Sequence, residues 1–106
     1  APDHVNVKCA EVFAPVITIE KFSGFEEAVE KVNNSRYGLQ SGIFTNSMSD
    51  IMYAYNTLHT GGVIINEASA YRMDVMPYGG VKDSGNTREG VRYAIKEMME
   101  EKILVM

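Results

Sequence analysis

The chain has 106 residues, 45% of them hydrophobic and 23% charged, with a formal net charge of −4. That balance is that of an ordinary globular domain and excludes collagenous, low-complexity or disordered chains. No apolar run approaches the roughly 20 residues of a membrane-spanning helix. No basic cluster points to nucleic acid or an anionic membrane surface, and the single cysteine, Cys9, excludes an internal disulfide or a multi-cysteine zinc site.

Residues 1–15 have an irregular pattern, with Pro2 and Pro15 bracketing a Val5-Val7-Cys9 alternation. The β-branched run of residues 16–22 predicts a strand. Ser23 and Glu26 have capping-box spacing, and Phe25, Ala28, Val29 and Val32 then recur at helical intervals, predicting an amphipathic helix that ends near Asn33-Asn34. Residues 41–45 predict a second strand around Ile43-Phe44. Ser47 followed by Asp50 repeats the cap signal, and Ile51, Ala54, Tyr55 and Leu58 repeat the apolar stripe. Gly61-Gly62 closes this helix, and Val63-Ile64-Ile65 predicts a third strand, apolar throughout as a central strand covered on both faces would be. Strand, helix, strand, helix, strand with short connections is the order of β-α-β units on a parallel sheet, so the fold class is α/β.

Residues 67–85 show no periodicity, and loops of that length inside a domain are usually functional or disordered. Tyr71, Arg72, Met73, Met76 and Tyr78 make this one too aromatic for disorder. Asn86, three residues before Glu89, predicts the start of a third helix with Val91, Ala94, Ile95 and Met98 on one face. Ile103-Leu104-Val105 then predicts a short closing strand, which would be an exposed edge unless a subunit contact covered it.

Few residues stand out as chemistry. A nucleophilic role for Cys9 requires a lowered thiol pKa; against it stands a small buried hydrophobe in an extended segment. His4 and His59 are too few and too scattered for a metal site, and His59 at a helix end suits the macrodipole. The glycines of Pro77-Tyr78-Gly79-Gly80-Val81-Lys82-Asp83-Ser84-Gly85 suggest a phosphate cradle, but they lack P-loop and dinucleotide-fingerprint spacing. A tight turn folded under the third helix explains them better, with close packing beside an active site as the next reading. Glu97, Glu100 and Glu101 read as a solvated helix end. Glu11 and Phe13, two apart on an extended segment, share a face, where a carboxylate and a ring can hold a ribose hydroxyl and the ring beside it.

Taken together, these motifs resemble the aldehyde dehydrogenase superfamily. Glu11-Val12-Phe13-Ala14-Pro15-Val16 is similar to its Glu-x-Phe-Gly-Pro-Val signature, with Ala14 in place of the usual glycine. Tyr37-Gly38-Leu39, Gly42-Ile43-Phe44-Thr45, Gly62-Val63-Ile64-Ile65-Asn66, the glycine-rich segment and Arg88-Glu89-Gly90 follow in the family's order, so the resemblance covers residues 5–106.

The resemblance implies a parallel β-α-β layer of the catalytic domain, incomplete over residues 1–100, with residues 101–106 as an oligomerisation strand between subunits. It implies a fragment, an expectation that the opening Ala1-Pro2 without an initiator methionine also suits. The family's dinucleotide-binding domain, nucleophilic cysteine and general-base glutamate precede the Glu-x-Phe motif. Cys9 lacks the family's Gly-Gln-x context, so no catalytic residue is placed on this chain. Glu11 matches the glutamate that bonds the nicotinamide ribose, and Phe13 the phenylalanine near the nicotinamide of NAD or NADP. Asn66 matches a structural asparagine. Ser69, Tyr71 and Arg72 fall in the loop lining the aldehyde tunnel, and Tyr78 on its wall. The loop wording resembles members acting on small hydroxy or anionic aldehydes, such as lactaldehyde-type dehydrogenases. Arg72 is a cation for a substrate carboxylate or phosphonate, or else the partner of Asp74 or another residue in a surface salt bridge.

The parent is expected to be a cytoplasmic homo-oligomer, dimer or tetramer, that oxidises a small aldehyde and involves neither nucleic acid nor membrane. A reducing setting also fits the lack of a secretory signal. Two alternatives stand beside it: a non-catalytic oligomerisation module, and a stand-alone nucleotide-binding domain built on the Gly79-Gly80 and Ser84-Gly85 turn.

Overall fold

Eight short elements follow one another along residues 5–106, the part that the computed structural model describes. They are α1 (Asn6–Cys9), α2 (Phe25–Asn33), β1 (Tyr37–Gly38), β2 (Gln40–Ile43), α3 (Met48–Thr57), β3 (Gly62–Ile65), β4 (Val81–Lys82) and α4 (Val91–Glu97). Pro2 and His4 lie outside the described residues.

The β2-α3-β3 unit is the expected one. β2 and β3 pair in parallel, Gln40 opposite Gly62 and Ile43 opposite Ile65. The Ser47 hydroxyl accepts from the Asp50 N–H at 3.3 Å and caps α3, satisfying one donor that a helix start leaves without a partner. α2 packs on the same layer. Its N-cap is Gly24, which has no side chain to cap with. Glu27, rather than Glu26, reaches back to accept from the Ser23 N–H at 2.8 Å. The buried core is small: Val29 of α2, with Ala54 and Leu58 of α3 and its C-cap, backed by Phe25, Ile43 and Val63. Phe25 meets Tyr53 edge-on at 6.2 Å, a geometry that the ring quadrupole favours.

Several expectations are corrected. Residues 16–22 join no sheet, and Ile17 and Ile19 are each 84% exposed. β-propensity describes a fit to a half-buried pleated surface, and residues 16–22 pair with no strand among the described residues. β3 is half-buried rather than covered on both faces. Tyr55, placed in the apolar stripe of α3, is 69% exposed. Cys9 is neither extended nor buried; it ends the single turn of α1 with its side chain exposed.

The loop of residues 67–85 contains a strand, β4, which pairs antiparallel with β1. α4 begins after Gly90, not at Asn86, because the backbone of Glu89 is bonded in both directions to Tyr78. The chain is released into a helix only at Gly90, whose φ of 107° suits a residue without Cβ. The α4 stripe does not pack, with Val91, Ile95 and Met98 all exposed. Residues 101–106 form no ladder among the described residues, and Ile103, Leu104 and Val105 are exposed.

Unburied apolar surface leaves its mark on the whole. The accessible area is 8802 Å², against roughly 5,900 Å² for a compact chain of this mass. The radius of gyration is 17.1 Å, against about 13 Å expected from length. No helix among the described residues is long and apolar enough to cross a membrane.

Candidate functional site

The turn between α2 and β2 is fastened to the β4 segment. Lys82 takes a left-handed backbone, φ 55°, and its Nζ donates to the carbonyls of Asn33 at 2.9 Å and Ser35 at 3.0 Å. A cation there satisfies carbonyls that the end of α2 leaves open. Arg36 pairs with Asp83 at 2.5 Å, which raises the guanidinium pKa further above its ordinary value. The Ser84 hydroxyl accepts from the Gly38 N–H at 3.0 Å.

Beside this seam lies an open cleft of about 710 Å³, lined among others by Cys9, Glu11, Tyr37, Gln40 and Ser84. Glu11 therefore faces a cavity, as a ribose-binding carboxylate must. Phe13 does not line this cleft, and its ring is 94% exposed. Phe13 sits at the centre of a tight turn in which the Val12 carbonyl accepts from the Ala14 N–H, and a second such turn follows it, the Ala14 carbonyl accepting from the Val16 N–H. The two side chains thus do not share the simple extended face that their spacing implies.

Charge holds the strand-like segment near the cleft. Glu20 bridges Lys8 at 3.0 Å and Lys31 at 2.9 Å, and Lys31 also pairs with Glu27 at 2.9 Å. The hydrogen bond from Lys31, then that from Lys8, lowers the Glu20 carboxyl to about 2. The same Lys31 contact, with the Ser23 N–H, lowers Glu27, and the two carboxylates together raise Lys31.

The candidate tunnel residues form a second group. Arg72 places its guanidinium over the Tyr78 ring, 4.6 Å from the centroid, and Nη2 meets Glu89 Oε2 at 2.9 Å. Its partner is therefore Glu89, not Asp74. Tyr78 and Glu89 are themselves joined as an antiparallel bridge.

Ser69 and Tyr71 are held from below. Gln40 Nε2 donates to the Ser69 carbonyl at 2.6 Å and to the Tyr71 carbonyl at 3.0 Å. Gln40 thus lines the Glu11 cleft and anchors the loop at Ser69 and Tyr71, a double role that sequence reasoning missed. The only clue in the sequence is its place directly after Tyr37-Gly38-Leu39, at the start of β2.

Asn66, at the end of β3, has a left-handed φ of 58°. Its N–H donates to the Ile43 carbonyl at 2.7 Å, and its Oδ1 accepts from the Thr45 N–H at 2.9 Å. That geometry ties off the parallel pair.

The glycine-rich segment is packed rather than open. A Cβ on Gly61 would overlap the Gly79 carbonyl, and one on Gly79 the Thr87 carbonyl. The Ser84 hydroxyl is engaged with Gly38. Close backbone approach accounts for Gly79, and Ser84 fills the space beside Gly80, whereas Gly85 has open space beside it and owes its place to a φ of 129°. Among the described residues no three His, Cys, Asp or Glu side chains converge on a metal position.

Comparison with known proteins gives a consistent result. A profile of the aldehyde dehydrogenase family matches residues 1–104. The chain is 51% identical over 104 residues to the 3-sulfolactaldehyde dehydrogenase of Priestia aryabhattai, covering 98% of this chain and 22% of that protein. To the lactaldehyde dehydrogenase of Methanococcus maripaludis it is 48% identical over 96 residues, covering 91% and 21%. Among solved structures, aldehyde dehydrogenase 21 from Physcomitrella patens, in complex with the reaction product succinate, superposes with a TM-score of 0.95 at 50% identity, over 99% of this chain and 22% of that one. The glyceraldehyde-3-phosphate dehydrogenase of Methanocaldococcus jannaschii, complexed with NADP, gives 0.67 at 49% identity, over 69% and 16%. The chain spans about a fifth of the length of the relatives it matches.

Proposed function

The chain belongs to the aldehyde dehydrogenase family, and on that footing we propose that it supplies the C-terminal part of a cytoplasmic NAD- or NADP-dependent enzyme oxidising a small aldehyde to its acid. It carries neither the nucleophilic cysteine nor the general-base glutamate of that reaction. Its own contribution is a ribose clamp at Glu11, a ring at Phe13 beside the nicotinamide, and a tunnel wall of Ser69, Tyr71, Arg72 and Tyr78. Residues 101–106 add a strand to a neighbouring subunit's sheet in a dimer or tetramer.

The observation that carries this reading is Glu11 on the cleft, in a chain matched to the family along nearly its whole length. A carboxylate only accepts hydrogen bonds, and a ribose diol offers two donors, so the side chain present fits the group. When bound, the nicotinamide accepts the hydride lost by the aldehyde. Glu11 would orient the ribose, and the exposed Phe13 ring offers an apolar surface to the ring attached to it.

Arg72, half-exposed in the loop, suits an aldehyde that carries a carboxylate or sulfonate, in keeping with the relative named for sulfolactaldehyde; lactaldehyde, for which another relative is named, is a neutral hydroxyaldehyde. A nucleotide-binding role for the glycine-rich turn has less support, because neighbouring atoms fill the space beside Gly79 and Gly80 and the Ser84 hydroxyl is engaged with Gly38.

In the parent enzyme, Glu11→Gln should slow hydride transfer or cofactor release while leaving the fold intact. Single-turnover kinetics matching the unmodified enzyme would remove Glu11 from the site. The 106-residue chain on its own should turn over no aldehyde. Activity from pure chain, with no longer species on mass analysis, would overturn the assignment of catalysis to residues outside it.

A further inference from the structure

The guanidinium of Arg72 is held by two groups on one backbone bridge. Tyr78 lies under it at 4.6 Å, and Glu89 pairs with it at 2.9 Å. The two are locked together, the Tyr78 N–H donating to the Glu89 carbonyl at 3.2 Å and the Glu89 N–H to the Tyr78 carbonyl at 2.6 Å. Next to Arg72 the loop backbone is fixed by Gln40 on the Tyr71 carbonyl. The cation is therefore aimed by its neighbours at both ends.

Only one of the five guanidinium N–H donors is used in this pair. Arg72 is 45% exposed and Glu89 63%, and an exposed pair of that kind is weak and exchangeable. A second anion can use the open donors. It then sits within a few ångströms of the Glu89 carboxylate and is repelled by it.

We propose that Glu89 sets the preference of the tunnel loop for anionic over neutral aldehydes: it holds Arg72 on the Tyr78 ring and acts as a built-in anion that a charged substrate must outcompete. This rests on the reading of the loop as tunnel wall. Glu89 is a specificity-determining residue here, and no role in the chemical step is assigned to it. Weakening its charge makes the enzyme more selective for anions, not less.

The test uses the full-length parent enzyme with an anionic aldehyde and a neutral one of similar size. The readout is the ratio of their kcat/KM values, in which any loss common to both cancels. Glu89→Gln should raise that ratio about 3- to 10-fold, through KM for the anionic aldehyde, and should tighten the binding of a small alkyl sulfonate, titrated by calorimetry, by a similar factor. In an Arg72→Ala background the same substitution should do nothing. An unchanged or lowered ratio for Glu89→Gln, with Arg72→Ala still costing the anionic aldehyde more, overturns this inference and leaves the tunnel reading standing. Equal losses for both aldehydes in Arg72→Ala overturn the tunnel reading itself. The sulfonate measurement requires no turnover, so a variant with a slow chemical step remains informative.

Discussion

Single side chains decide how the site is held. Gln40 bonds two carbonyls of the loop that carries Arg72, and a leucine of similar size keeps the volume but donates nothing. Gln40→Leu in the parent enzyme should raise KM for the aldehyde about tenfold, equivalent to about 1.4 kcal/mol, with little change in affinity for the cofactor. Steady-state kinetics with each substrate varied in turn would check it. Gly61 is the strictest position sterically, because any Cβ there runs into the Gly79 carbonyl. Gly61→Ala should lower stability by about 1–3 kcal/mol, read as a shift in the denaturant midpoint.

Residues of this sort divide what was legible in the sequence from what was not. Ser47 announced its cap, since a hydroxyl three residues before an N–H donor is a local pattern. The motif singles out Glu11 and the charge singles out Arg72, and the roles read for both are those proposed above. Gln40 was not, because its partners lie 29 and 31 residues away, and nothing local marks a side chain that reaches so far. The Arg72 partner was missed for the same reason: Asp74 is near in sequence, but the bridge to Tyr78 brings Glu89 near in space.

Elements with their own apolar stripe formed where the pattern placed them, as α2 and α3 did, although only α3 kept the cap read for it. Elements that depend on a neighbour did not. Residues 16–22 have strand chemistry but pair with no strand among the described residues, and the start of α4 is delayed until Gly90 frees the chain from Tyr78. The segment of residues 16–22 is tied down by charge instead, through Glu20 to Lys8 and Lys31.

That tie has a pH signature. The Glu20 carboxyl is lowered from an ordinary 4.5 to about 2. A depressed carboxylate contributes stability above its unfolded value, and that contribution fades as pH falls through the folded one. The tie should therefore hold above about 4.5 and be lost towards about 2. The groups are exposed, so salt should weaken it as well. Carboxyl titration by nuclear magnetic resonance should find the low midpoint for Glu20, and Lys31→Met should move it back towards 4.5. A Glu20 midpoint unaffected by that substitution would leave the contact without energetic weight.

At the level of the whole molecule, apolar surface outweighs apolar core. Three buried residues form the core, whereas Val91, Ile95 and Met98 of one helix and the closing Ile103-Leu104-Val105 run lie open. Such faces are stable only when covered. In isolation the chain should self-associate or bind a hydrophobic dye strongly. Light scattering that shows a monodisperse monomer without dye binding would contradict that expectation.

The small contacts of Asn33 bear on how such a covered state is detected. Its Oδ1 accepts from the His59 N–H at 2.8 Å, and its Nδ2 donates to the Thr57 carbonyl at 2.8 Å. His59 follows α3, yet its amide proton is shielded by a side chain from α2. Isotope exchange at that one amide consequently reports whether the two helices are docked, not whether either helix is formed. A slow His59 amide beside fast ones on α4 would map, proton by proton, which parts of the chain hold their shape unaided.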